Sequence, residues 1–302
     1  MKWKFDKRAP DSYMLVSRQY SKRSQLGEVW HRLRRNKGAV VGLVIVLLII
    51  SMALYALLFI DYSRVTAINP SERLQGPSMR HPFGTDDMGR DLFLRVVYGS
   101  QYSVVIGIFS VFIALFIGLF LGAFAGYYGG LVDDLITRAS DILASIPATL
   151  MGMVIVTVLG QSLMNLVIAV SITAIPAFIR MARGSVMTVR GQEFIESAMA
   201  IGMSDFRIIF SQVVPNGLSP LIVTTTARMG FAIIEAAGLS FLGFGVPVPM
   251  PEWGALVSAG RNFIRTDSHL TFYPGIMIML VVLAFNLMGD GLRDALDPKL
   301  KR

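Results

Sequence analysis

The chain has 302 residues, of which 54% are hydrophobic and 16% charged; it carries 28 lysines and arginines, 20 acidic residues and no cysteine. Ordinary soluble proteins hold about 25% charged residues, so this composition excludes a disordered, fibrous or typical soluble chain. The missing cysteines exclude disulfides and thiolate ligands. The apolar residues, which give a mean hydropathy of +0.59, arrive in blocks: residues 39–60 form 22 residues without a charge, and residues 142–179 form 38. A hydrocarbon core about 30 Å thick needs about 20 apolar residues to cross. The pattern is that of a polytopic membrane protein.

In chain order, residues 1–37 come first, with eleven basic and three acidic side chains, the whole formal excess of +8. A basic segment directly before an apolar run is retained in the cytoplasm. It is too long for a signal peptide, and no small-residue cleavage site follows the 22-residue run. Leu26, Val29, Trp30 and Leu33 recur at helical spacing, which suits either a helix on the inner leaflet of membrane lipid or a solvated basic arm. Nucleic-acid binding is not expected, because no basic stripe interleaved with aromatics occurs elsewhere.

Six spans are predicted, at 38–60, 101–127, 142–160, 163–180, 217–243 and 272–289, within a permease domain of residues 38–302. An even count places both termini in the cytoplasm, residues 61–100 and 246–271 outside, and residues 133–141 and 180–216 inside. Gly118, Gly122 and Gly126, at four-residue spacing in the second span, predict close packing on another helix. Pro147 and Pro176 predict kinks or openings in the third and fourth spans. The seventeen methionines read as adaptable packing.

The outer segment 81–103 holds His81, Asp86, Asp87 and Asp91, which could suggest a cation site. The preferred reading is a short helix capped by Thr85 or Asp86, with Leu92, Phe93, Val96 and Val97 against the membrane surface and no metal. The inner segment 193–216 reads as two short helices. Phe194, Ile195, Ala198, Met199 and Ile201 share a side of the first, which should stop at Gly202 with positive φ. Ser204 or Asp205 then caps a second helix to about Val213, and Pro215 opens the next span. Such a knob suits docking, or it merely closes the loop. Arg228 and Glu235 in the fifth span lie two turns apart on one face, about 10.5 Å in rise. Charges inside the bilayer cost about 2.5–3.5 kcal/mol on insertion scales, so the preferred reading is structural pairing, with each other if Arg228 stretches or with separate partners, ahead of lining a water-filled path.

There is no G-x-x-x-x-G-K-[ST] loop, no H-E-x-x-H and no G-x-S-x-G, and the three histidines lie outside the predicted spans. The chain alone is therefore not expected to be an enzyme. At residues 193–216 the sequence resembles the EAA motif of permease subunits of binding-protein-dependent ABC importers. Glu196, Ser197 and Ala198 stand for the triplet, Gly202 for the glycine, and Val214 and Pro215 for the closing pair. Ser197, Val214 and Gln212 depart mildly from the pattern. Five further blocks, at 34–43, 81–103, 126–147, 239–254 and 283–300, resemble the C-type subunit of the dipeptide/oligopeptide/nickel branch.

The resemblance implies an all-α membrane protein of the type I ABC importer permease fold, in the cytoplasmic membrane of a prokaryote. It implies a coupling loop at about 181–216, in which Glu196, Ser197, Ala198, Gly202, Asp205 and Pro215 dock on an ATPase. The function implied is translocation of di- or oligopeptides. The partners implied are a homologous second permease subunit, two cytoplasmic ATP-binding subunits and an extracytoplasmic solute-binding protein, with no cofactor on this chain. A nickel or metal-chelate importer is the alternative within the family. A passive channel is the alternative outside it, and leaves the knob unexplained.

Overall fold

A computed structural model of the chain describes residues 25–296. The basic segment up to residue 24 and the tail from residue 297 lie outside the described residues. Helix α1, Gln25–Arg35, buries Leu33 and exposes Trp30, over whose ring the Arg34 guanidinium sits at 5.7 Å. Asn36 then caps α2, Lys37–Phe59, its side-chain oxygen accepting from the Ala39 amide at 3.1 Å. One side of α2 buries Val46 and Ile49, whereas Leu48, Leu57 and Leu58 stay exposed. That is the distribution a helix needs when one side meets protein and the other meets lipid.

A short helix, α3, Tyr62–Thr66, and an isolated bridge between Thr85 and Asp91 shape the next segment. The predicted short helix capped by Thr85 or Asp86 is absent. Asp91 is the cap instead, accepting from the Leu94 amide at 2.9 Å, and it starts one continuous 37-residue helix, α4, Leu92–Tyr128. The second span thus begins nine residues earlier than predicted. Leu92, Val96 and Val97 are buried in the bundle rather than lying on the membrane surface; only Phe93 is exposed.

The third predicted span is also corrected. It is a bent pair, α5 (Gly130–Ser145) and α6 (Ala148–Leu159), meeting at 89°. Residues 133–141, expected as an inner connection, are helical within α5. The break is local chemistry: the ring of Pro147 drives Ile146 to an extended φ, ψ of −91°, 129°, and α5 cannot continue past it. Helix α7, Leu163–Arg190, is capped by Ser162, includes Pro176 within it and ends ten residues beyond its predicted end. Short helices α8 (Glu193–Ala200), α9 (Asp205–Ile208) and α10 (Val214–Asn216) follow, with a π-turn at Ile209–Val213 between the last two. The remaining helices are α11 (Leu218–Phe241), α12 (Trp253–Gly260) and α13 (His269–Leu296). Among the described residues five helices are long and apolar enough to cross a membrane, or six if the bent pair is counted as one span.

The most extensive contact joins α4 to α7, with α2 and α11 each packed between α4 and α13. Its basis is the glycine ladder. A Cβ on Gly118 would strike the Phe178 side chain, one on Gly122 would come within 2.5 Å of the Ile179 carbonyl, and one on Gly126 within 2.7 Å of the Arg183 carbonyl. The two backbones therefore meet with no side chain between them, which is how helices associate where lipid supplies no hydrophobic drive.

At the end of the bundle away from residues 191–216, Glu252 caps α12 and is itself almost wholly buried. Its carboxylate accepts from the amides of Gly254 and Ala255 at 2.8 and 2.9 Å and from Ser103 and Ser240 at 3.2 and 3.0 Å. Trp253, 0% exposed, donates from Nε1 to the Val96 carbonyl at 2.9 Å. One short helix thereby pins α4 to α11.

Replacing Gly122 by Val should force α4 and α7 apart and cost about 1–3 kcal/mol. Thermal unfolding in detergent should show the loss. Gly184→Ala is the control, since a Cβ there meets nothing within 4 Å; its melting temperature should stay the same or rise slightly.

Candidate functional site

The loop between α7 and α11 is built as a rigid knob. Gly202 has φ of +78°, and the amides of Gly202 and Met203 donate to the carbonyls of Met199 and Ala198 at 3.0 and 3.1 Å. This pair of bonds is the Schellman ending of a helix, which needs a left-handed residue at its turn. Ser204 precedes α9 but offers no side-chain cap. The expected single apolar side of α8 divides in two. Ile195 and Ala198 are buried, together with Ile208, Ile209 and Val213, against Ala123, Tyr127, Val186 and Val189 at the ends of α4 and α7. Phe194, Met199 and Ile201 point away and are exposed, Ile201 by 80%, and Phe206 of α9 by 62%. Glu196, Ser197, Gly202 and Pro215 are exposed beside them. The knob thus presents an apolar patch with a carboxylate at its edge, on a base that the bundle holds fixed.

Asp205 is not the cap of α9. It accepts from the Tyr127 hydroxyl at 2.9 Å, and Arg190 lies over the Tyr127 ring at 5.6 Å. Sequence reasoning missed Tyr127, which lies far from the motif in sequence, and Arg190, which lies just before it, because no local pattern shows that the two meet. Nearby, Arg183 of α7 grips Asp133 of α5 with two bonds, of 2.5 and 2.6 Å. That fork is the strong planar form of an arginine–carboxylate pair, and it binds the bent segment to the same helix that carries the knob.

Arg228 and Glu235 do not pair. Among the described residues no carboxylate lies within 4 Å of the Arg228 guanidinium, and Glu235 Oε1 is buried without a hydrogen-bond partner. Arg228 instead lines cavities on the side of the bundle formed by α7, α11 and α13.

The residues of the possible cation site go separate ways. His81 Nδ1 lies 2.7 Å from Asp91, with Glu72 3.5 Å from the other ring nitrogen. Asp86 turns to Arg90 at 2.6 Å and to Arg95 at 3.5 Å. Thr85 bridges Glu72 and Gln75. Asp87 stands 3.9 Å from Arg90. Among the described residues no group of three such side chains is placed to share an ion.

Comparison with known proteins agrees with this architecture. Residues 118–302 match the family described as binding-protein-dependent transport system inner membrane component, and residues 24–77 match the N-terminal TM domain of oligopeptide transport permease C. The chain is 49% identical to the dipeptide transport system permease protein DppC of Alkalihalophilus pseudofirmus, over 94% of this chain and 93% of that protein. It is 46% identical to the glutathione transport system permease protein GsiD of Shigella flexneri, over 91% of this chain and 90% of that one. In fold it is similar to a chain of the MetNI methionine ABC transporter in inward-facing conformations. The TM-score is 0.56 at 17% identity, covering 68% of this chain and 98% of that chain. The type I permease fold expected from the sequence is the fold found.

A Cβ at Gly202 meets nothing within 4 Å, so Gly202→Val should act through backbone conformation alone, at a cost of about 1–2 kcal/mol. Hydrogen exchange should quicken at the amides of Gly202 and Met203 while the global melting temperature stays put. Tyr127→Phe removes one hydrogen bond, worth about 1 kcal/mol, and should quicken exchange in α9.

Proposed function

Because the chain belongs to the binding-protein-dependent transport system inner membrane component family, we propose that it carries peptides through the membrane as one half of an ATP-driven importer. The observation that carries this reading is the 49% identity to a dipeptide permease along nearly the whole chain. The glutathione transport relative points the same way. Neither name favours nickel or a metal chelate. A passive channel would have no use for a braced apolar knob.

In this reading the patch of Phe194, Met199, Ile201 and Phe206 enters a groove on a cytoplasmic ATP-binding subunit. Glu196 at its edge meets a basic side chain there. Ser197 and Ala198 shape the contact face and the base, Gly202 holds the turn, and Pro215 starts the return into the membrane. Asp205 transmits force, since a push on α9 is passed through Tyr127 to the end of α4. A homologous permease covers the open side of α7, α11 and α13, where Arg228 faces the path and Glu235 lies deeper in the bundle. A binding protein delivers solute on the opposite side, against α12 and the segment 61–91. Both termini are cytoplasmic, in keeping with the basic segment before α2.

Two measurements test the proposal. Glu196→Lys should reduce copurification of the ATP-binding subunits and solute uptake by tenfold or more, while insertion stays normal; undiminished association and uptake would reduce the knob to a connector. Since the chain has no cysteine, single cysteines report topology. A membrane-impermeant maleimide should label Ser78→Cys but not Ser204→Cys in intact cells, and the reverse pattern would overturn the orientation.

A further inference from the structure

Three arginines from three helices converge on the uncovered side of the bundle. Arg228 of α11 lines a cavity of about 220 Å³ with Thr173, Pro176 and Arg180 of α7, and another of about 540 Å³ with Arg180 and Ser185. It also lines a cavity of about 690 Å³ with Asn286, Asp290 and Arg293 of α13. Arg228 stands ten residues from the start of α11, and Arg180 stands ten residues from the end of α7. Both helix ends adjoin the knob, so the two guanidiniums sit at one level, about 15 Å along their helices from it.

Among the described residues the charges lining these cavities do not balance. Asp290 is the one acidic residue there, against Arg180, Arg228 and Arg293. Arg180 has Asp141 at 3.7 Å, but both side chains are more than half exposed, and such a contact holds weakly. Glu235 lies two turns further along the face of α11 and is not within ion-pair distance of Arg228. Pro176 adds a polar feature: it cannot donate to the Ile172 carbonyl one turn back, and Ile172 lines the same cavity as Arg228. Arginines in the membrane region face protein or water rather than lipid, and here they are left facing open space with positive charge in excess.

We propose that Arg228 and Arg180, flanked by Arg293, form a guanidinium station in the translocation path that receives the carboxylate of the passing peptide. The inference rests on the reading of the chain as a peptide-importer permease. A planar guanidinium matches a carboxylate with two parallel hydrogen bonds. Arginines on neighbouring helices at one level let the carboxylate be shared between them, so that entry is favourable and no single site holds the solute too tightly. This is the requirement for conduction through any selective path. A peptide with its terminal carboxylate masked as an amide loses the charge while keeping its shape.

The test uses the complete transporter in proteoliposomes, with both permeases, the ATP-binding subunits and the binding protein. Ala-Ala and Ala-Ala amide are each supplied at a concentration that saturates the binding protein, and initial uptake is recorded per ATP hydrolysed. The wild type should favour the free acid. Arg228→Gln should lower uptake of the acid about tenfold and of the amide less than twofold, bringing their ratio toward one, while Arg228→Lys retains part of the preference. Arg180→Gln should move the ratio in the same direction by a smaller factor, and carries the test if Arg228→Gln fails to assemble. An unchanged ratio overturns the station, including the case in which both peptides slow equally, which would make Arg228 an ion-pair partner of the second permease. Failure of the wild type to take up either peptide overturns the peptide reading itself, and the station with it.

Discussion

The close approach of α4 and α7 along the glycine ladder is the constraint on which the rest of this structure depends. Three glycines one turn apart bring two long backbones together without intervening side chains, and carbonyls of α7 occupy the space where Cβ atoms would be. Lipid does little to press helices together, so the contact has to be made by van der Waals fit. Once made, it fixes the ends of both helices. One pair of ends forms the floor for the knob, and α4 reaches the other side of the membrane to meet α12.

The knob inherits its rigidity from that floor. Ile195, Ile208, Ile209 and Val213 are buried against residues of α4 and α7, so α8 and α9 are seated on the helix pair rather than hung from flexible linkers. The Gly202 turn sets the angle between the two short helices, and Tyr127 ties the second to the last turn of α4. A displacement applied to the exposed side of α8 is thus delivered to a packed bundle and not absorbed in the loop. At the opposite end, a buried carboxylate at Glu252 performs the matching task, since its four hydrogen bonds join α12, α4 and α11 through one side chain.

The bundle also leaves one side incomplete. The arginines of α7, α11 and α13 would be costly against hydrocarbon, and the bent pair α5–α6 shows apolar side chains, such as Leu131 and Val158, that stay exposed among the described residues. Polar and apolar faces left open in this way fit the proposed role as one half of a transporter.

Much of this was legible in the residues themselves. Uncharged runs of 22 and 38 residues have no stable setting other than a bilayer, so the membrane class followed from composition. Gly202 announced a left-handed turn because only glycine adopts it without strain, and Pro147 announced a kink or opening because its ring disfavours helical geometry in the residue before it. Other features were decided only by tertiary packing. Asp91, not Thr85 or Asp86, became the cap of α4, because Thr85 and Asp86 were drawn to Glu72, Arg90 and Arg95, and no local rule ranks those competing partners. The apolar side of α8 divided between bundle and solvent, since spacing shows which residues share a face but not where the neighbouring helices stand. The convergence of Arg180, Arg228 and Arg293 joins positions far apart in sequence and exists only because three helices are folded side by side. Local backbone chemistry and transfer free energy act within a few residues and can be read in order along the chain; pairing among distant charged groups depends on distances that only the folded bundle sets.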